Sequence, residues 1–220
     1  MRISRVRRNK HTAKVTYDRL SHIYDGLAGS SETQFMLQGL EMLGLNASET
    51  VLEIGCGTGK ALVELCHQAG DPGKVYAIDL SRGMLQKSRS RLVSAGLQQQ
   101  VSLLEGDGSC LPYRNGSFKA VFICFTLELF DTPEIPLVLQ ECWRVLQPDG
   151  LLGVVCMLKT EKPGKIVRLY EWFHEKIPAY MDCRPIDANT MIQAAGFSVR
   201  KRQVRSMYGL PIELVVASKE

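Results

Sequence analysis

The sequence predicts an α/β fold: a Rossmann-like, doubly wound, mostly parallel seven-stranded sheet with an antiparallel hairpin at its C-terminal edge. Three observations lead there. From Thr50 onward, short apolar runs alternate with helix-like stretches, the pattern of βαβ units and a parallel sheet. The first apolar run meets its helix through Gly55-Cys56-Gly57-Thr58-Gly59, a turn with glycine at every second position. The last two strand-like runs are joined by a link around Tyr208 to Pro211, too short for the crossover that parallel strands need.

The elements follow in order. After a basic arm, residues 11–26 read as a helix marked by Val15, Leu20, Ile23 and Tyr24. Ser30 and Ser31 offer an N-cap for a helix over 32–43, which Gly44 ends. Strands are expected at 51–55, 75–79, 101–105, 120–125 and 151–157, with helices at 60–68, 81–95 and 134–146. Gly96 closes the second of these helices, and Pro148, Asp149 and Gly150 turn the chain into the fifth strand. Residues 165–176 read as an inserted helix and 187–195 as another, before final strands at 197–204 and 212–217. With 220 residues and no repeat or convincing linker, residues 1–220 are expected to form a single domain. Within it, residues 1–46 supply a basic arm plus lid helices, and residues 160–187 a helical insert over the active site.

Composition narrows the function. An apolar fraction of 45% supplies a full core, and no run approaches the roughly 18 apolar residues of a membrane span. The N-terminus lacks the apolar stretch of a secretory signal, so a cytoplasmic location is expected. Arg2, Arg5, Arg7, Arg8, Lys10 and Lys14 all precede the first acid, Asp18. Such an arm reads either as a solvated tail or as a peripheral contact with anionic lipid. A second basic group, Arg200, Lys201, Arg202 and Arg205, lies near the C-terminus. Neither group is interleaved with the aromatic residues of stacking modules, so no nucleic acid is expected. Cys56, Cys66, Cys110, Cys124, Cys142, Cys156 and Cys183 form no CxxC pair and read as reduced thiols. With four scattered histidines besides, no metal site is expected.

The glycine turn is where chemistry enters. Glycine allows backbone conformations closed to other residues and lets a ligand approach main-chain N–H groups. Glu53 stands just before the turn, and Asp79 ends the second strand, placed to accept hydrogen bonds from ribose hydroxyls. A dinucleotide fingerprint wants glycine at the first, third and sixth positions of its loop. Lys60 occupies the sixth, which disfavours a nicotinamide cofactor.

Glycines at the first, third and fifth positions behind an acid resemble motif I of class I S-adenosylmethionine-dependent methyltransferases. Glu105-Gly106-Asp107-Gly108 resembles the acidic motif that contacts adenine in that class. Three further stretches resemble the ubiquinone/menaquinone C-methyltransferase family (methyltransferase type 11). They are Tyr17-Asp18-Arg19-Leu20 with Ile23-Tyr24-Asp25, Leu111-Pro112-Tyr113 with Asn115-Gly116-Ser117-Phe118, and Arg144-Val145-Leu146-Gln147-Pro148-Asp149-Gly150. Lys119 stands where the family carries aspartate.

The resemblance implies S-adenosyl-L-methionine as cofactor and a set of roles. Gly55, Cys56, Gly57 and Gly59 would form the loop that cradles the methionine part, with Glu53 near its ammonium. Asp79 would hold the ribose, Leu80 and Met84 would wall the adenine, and Asp107 with Gly108 would meet its amino group. Phe125 would stand where the sulfonium meets the acceptor. His22 and Tyr24 on the lid and His174 on the insert are the candidate catalytic residues. Trp172, Phe173, Ile177, Pro178, Tyr180 and Met181 give the insert an aromatic, apolar character, and Arg184 is expected to face an anionic or oxygen-rich headgroup. The expected acceptor is a small lipophilic molecule, a quinol carbon first. A phospholipid amine and a non-catalytic, cofactor-binding partner protein are the alternatives.

Overall fold

Strand β1 (Val51–Ile54) is buried at every position, the mark of a strand covered on both faces. Its neighbouring side chains feed opposite cores. Val51 belongs with Leu40, Leu62, Leu65 and Phe122, whereas Leu52 belongs with Val121, Leu139, Val154 and Ile192. The same period of two divides Val121 from Phe122, Val154 from Val155 and Leu214 from Val215. A single sheet with a hydrophobic layer on each side follows from that alternation.

The computed structural model describes residue 6, residues 10–20, 30–70 and 74–160, residues 164 and 167, and residues 183–220. Its remaining strands are β2 (Val75–Asp79), β3 (Val101–Glu105), β4 (Phe118–Cys124), β5 (Leu146–Met157), β6 (Ser198–Met207) and β7 (Leu210–Ser218). They lie in the order β3-β2-β1-β4-β5-β7-β6. Strands β1 to β5 are parallel, and β7 runs antiparallel between β5 and the edge strand β6. The expected mostly parallel, seven-stranded sheet with its antiparallel C-terminal hairpin is thus the observed one. Strand order reverses at β1 and β4, and a reversal of this kind opens a crevice at the carboxyl ends of the strands.

The helices among the described residues are α1 (Lys10–Leu20), α2 (Ser30–Leu43), α3 (Lys60–Ala69), α4 (Arg82–Ser94), α5 (Ile135–Val145) and α6 (Ala188–Ala194). Helix α5 buries Ile135, Val138, Leu139, Cys142 and Val145, one apolar stripe at helical spacing. Helix α2 lies so close to the sheet that a Cβ on Gly39 would come within 2.5 Å of Val155 Cγ2. Glycine in mid-helix is there for close approach, against its helix propensity.

Several boundaries differ from expectation; in the hairpin, β6 runs on to Met207 and β7 begins at Leu210. Strand β4 begins at Phe118, which pairs with Leu146, and β5 runs through the turn expected at 148–150. The N–H of Asp149 donates to Lys219 O at 3.0 Å and the N–H of Lys219 to Gly150 O at 2.9 Å, drawing the turn residues into the sheet. Apart from Val167, the helix expected at 165–176 lies outside the described residues, as do the aromatic insert residues and the candidates His22, Tyr24 and His174. No helix among the described residues is long and apolar enough to cross a membrane.

Candidate functional site

A cavity of about 200 Å³ opens at the carboxyl ends of β1, β2 and β4. The glycine turn forms its floor. Gly55 has φ of +73°, and a Cβ there would collide with the Thr126 side chain, so only glycine fits. Thr126 in turn locks the loops after β1 and β4 together, its Oγ1 lying 3.2 Å from Gly55 O and 3.0 Å from Cys124 O. The Gly55 N–H donates to Ile78 O at 2.7 Å. Ser88 Oγ donates to Gly57 O at 2.8 Å and Arg91 Nε to Thr58 O at 2.8 Å. The loop is therefore tethered on three sides before any ligand enters. Helix α3 starts directly behind it, presenting a helix N-terminus to the cavity.

Three expected acids reach the cavity wall. Glu53 is 3% exposed, and its Oε2 has no hydrogen-bond partner among the described residues. Burial, helped by the Asp79 charge, pushes its carboxyl up to about 8. An orphaned buried carboxyl facing a cavity is the acceptor that a cationic group would satisfy. Asp79 accepts from Gly57 N–H at 2.9 Å through Oδ2 and from Ser81 N–H at 2.8 Å through Oδ1. Burial raises its carboxyl to about 6 against the pull of those two donors. Each oxygen accepts one protein bond, leaving a lone pair apiece for hydroxyl donors. Burial would likewise raise Asp107, but Lys10 Nζ and the Ser109 N–H and Oγ hold it below the ordinary carboxylate range.

Leu80, Met84, Gly108 and Phe125 line the same cavity, as do Gly55, Cys56 and Gly57. Gly59 does not. It caps α3 in the left-handed region, and a Cβ there would crowd Ser88, so its place is behind the loop, in helix packing.

The arm is not a free cationic tail throughout. Lys10, Lys14 and Asp18 recur every fourth residue along one face of α1. Lys10 bridges Asp107 and Glu134, Lys14 pairs with Glu105, and Asp18 accepts from Ser81 Oγ at 2.6 Å and Gly83 N–H at 2.9 Å. Ala13 and Tyr17 from the same helix line the cavity, so α1 roofs it. The C-terminal cations are engaged too. Arg202 pairs with buried Glu213, Arg200 with Glu220, and Lys201 donates to Met42 O.

Arg184 corrects another expectation. It is fully buried, and donates to Glu128 O at 3.1 Å, Thr132 Oγ1 at 3.0 Å and Phe130 O at 2.6 Å. Its guanidinium braces the turn after β4 instead of facing a headgroup. The motifs that carried the family resemblance also bind one another. Arg144 donates to Tyr113 O, Leu111 O and Asn115 Oδ1 and pairs with Glu141, while Gly116 N–H donates to Arg144 O. Lys119 lies outside the cavity, donating to Asp149 O.

Asp131 and Glu134 line the cavity without having been expected there, and two further acids were not expected at the site. Glu32, in the first turn of α2, lines the cavity. Glu128 is wholly buried in a 3-10 turn (Leu127–Leu129), with Oε1 accepting from Met157 N–H. The acid at 128 did carry a signal, a charge inside the apolar run Phe125 to Phe130. Glu32 carried none, since an acid in a first helical turn is ordinary dipole compensation.

Residues 51–150 match the methyltransferase-domain family. A demethylmenaquinone methyltransferase of Lactobacillus johnsonii is 34% identical over 130 residues, 59% of this chain and 51% of that protein. Another, of Lactococcus lactis, is 25% identical and covers 86% of each chain. In several such matches the aligned part spans about half the relative's length. The geranyl diphosphate C-methyltransferase of Streptomyces coelicolor, solved with Mg2+, geranyl diphosphate and S-adenosyl-L-homocysteine, superposes with a TM-score of 0.68 at 14% identity, covering 86% of this chain and 77% of that one. Fold and crevice agree with the methyltransferase-domain match of residues 51–150, for which the resemblance implies S-adenosylmethionine as the cofactor. The relatives it is similar to include demethylmenaquinone methyltransferases and ubiquinone/menaquinone biosynthesis C-methyltransferases.

Proposed function

We propose that the chain methylates a ring carbon of a lipophilic quinol. The observation that supports this reading is the likeness to demethylmenaquinone methyltransferases, which for the Lactococcus protein extends over 86% of both chains. The cofactor supplies an activated methyl group, so the protein's part is chiefly alignment. In this reading Glu53 holds the amino-acid ammonium, and the backbone of Gly55, Cys56 and Gly57 cradles the chain attached to it. Asp79 takes the ribose hydroxyls, Leu80 and Met84 flank the adenine, and Asp107 with Gly108 meets its edge. Phe125 and Thr126, beyond β4, border the space where acceptor and methyl group come together. Delivery of a membrane-borne quinol rests on Arg2, Arg5, Arg7 and Arg8, because Lys10 and Lys14 turn inward.

The test is incubation of the full chain with methyl-labelled cofactor, a chemically reduced prenylated naphthoquinol and, separately, vesicles containing phosphatidylethanolamine. Ring-methylated naphthoquinol carrying the label is the expected product. Label in the phospholipid headgroup would instead establish the amine reading. Tight cofactor binding with no labelled product from either acceptor or from a total lipid extract would make the chain a non-catalytic partner.

A further inference from the structure

The cofactor acids lie to one side of the cavity. Asp79 and Asp107 stand at the ends of β2 and β3, and Glu53 at the end of β1. The opposite wall comes from α2, which packs over β4, β5 and β7 and lines the cavity with Glu32, Thr33 and Met36. With the nucleoside over β2 and β3 and the amino-acid part over β1, the acceptor must approach from the β4 and β5 side. Glu32 is the carboxyl that α2 brings to the cavity wall; of the acids Asp131 and Glu134, which also line it, Asp131 accepts from Val6 N–H and Thr132 N–H, and Glu134 pairs with Lys10. Lys60 at the start of α3 lines the cavity as well, and its charge acts on Glu32. Glu128 and Cys124, at the end of β4, feel the charge of Glu32 in turn. A second observation marks the cavity itself as a ligand site: the buried Oε2 of Glu53, which also lines it, has no hydrogen-bond partner among the described residues.

We propose that Glu32 is the proton acceptor of the methyl-transfer reaction, its carboxylate taking the hydrogen that the methyl acceptor gives up. The proposal rests on the methyltransferase class, and is independent of whether the acceptor is a quinol. When a neutral acceptor bearing hydrogen receives a methyl group, a bond forms to the methyl carbon and the sulfur keeps the electron pair of the bond that breaks. One proton is left over, whether it began on carbon, oxygen or nitrogen. Glu32 takes it as a carboxylate, becomes a carboxylic acid, and returns it to solvent when product leaves. Burial raises the Glu32 carboxyl to about 6, with Lys60 pulling the other way. It is thus ionised at pH 7 yet basic enough to take a proton, the range in which general bases work best. The other buried groups are less suited. Glu53, at about 8, is largely protonated at pH 7, Glu128 does not line the cavity, and burial drives the Cys124 thiol far above its ordinary value.

The decisive probe is sinefungin, a cofactor analogue that carries a protonated amine where the sulfonium methyl stands. Its amine faces the acceptor side, so a carboxylate there should grip it. Calorimetry of sinefungin and S-adenosylhomocysteine with wild type and Glu32→Gln needs no acceptor. The variant should weaken sinefungin about tenfold, the scale of one charge-assisted contact, and leave S-adenosylhomocysteine within about twofold. In the wild type the preference for sinefungin should fall as pH drops through about 6. Glu53 and Asp79 affect both ligands alike and cancel in that ratio. If Glu32→Gln fails to fold, the wild-type pH dependence and Glu32→Asp stand in its place. Equal shifts for both ligands, or none for either, would overturn the proposal and return the role to His22, Tyr24 or His174. Once a methyl acceptor is identified, Glu32→Gln should also lower kcat about a hundredfold and remove the acid limb of the pH profile.

Discussion

Glu53 shows how one residue binds function to instability. A buried carboxyl without a partner favours the protonated form, which is why its pKa stands at about 8. A folded-state value above the unfolded one means the native state holds the proton more tightly. Stability from this group is therefore full at low pH and declines as pH rises from the unfolded value of roughly 4.3 towards about 8. Glu53→Gln keeps the shape and removes the charge. Its melting temperature should exceed that of the wild type at pH 8.5 and converge with it near pH 5. Glu128, also raised to about 8, keeps part of the decline in the variant. S-adenosylhomocysteine should bind the variant more weakly by about 1–3 kcal/mol, as read by calorimetry. Parallel melting curves across the pH range would show that Glu53 titrates as an ordinary surface acid.

At the scale of an element, α1 is the informative piece. Each of its ion pairs is partly exposed; the Lys10 side chain keeps 41% of its accessible surface. Such pairs contribute at most about 1 kcal/mol each. Together with Tyr17 and Ala13 on the same face they nevertheless close the cavity from above. Deleting residues 1–14 removes the Lys10 and Lys14 contacts and half the roof. Calorimetry should then show S-adenosylhomocysteine binding at least about tenfold weaker, the scale of one to two kcal/mol. Replacing Arg2, Arg5, Arg7 and Arg8 by glutamine should leave that affinity unchanged and reduce cosedimentation with anionic vesicles at low salt. Cofactor affinity that survives the deletion would make α1 a bystander.

For the molecule as a whole, the reversal of strand order at β1 and β4 decides where ligand binding and stability meet. The cavity joins loops from β1, β2, β3 and β4 with α1 and α2, so a ligand there cross-links most of the sheet's carboxyl edge. Saturation at a hundred times Kd adds about 2.7 kcal/mol. For a chain of this size, that corresponds to roughly 5–10 °C in Tm. S-adenosylmethionine and S-adenosylhomocysteine should give that shift in a thermal melt, and NAD should give none, because Lys60 stands where the dinucleotide loop needs its third glycine. A shift with NAD alone would overturn the cofactor assignment.

Much of this was legible in the residues themselves. Alternating apolar strands and amphipathic helices are local patterns set by backbone periodicity, so β2 and β3 fall where the sequence places them and α4 and α6 within a residue of it. The glycine turn, Glu53 and Asp79 were legible because their requirements are local as well: a positive φ at Gly55, an acid at the end of a strand. What the sequence could not decide are the pairings between distant segments. Arg184 reads as a cation facing a ligand headgroup until the turn after β4 closes around it, 52 to 56 residues away. Lys10 reads as part of a solvated arm until it meets Asp107 across 97 residues. Glu32 reads as a helix-start acid until α2 lies over β4 and β5. A side chain's partners depend on which elements the sheet brings together, and only the tertiary structure determines that.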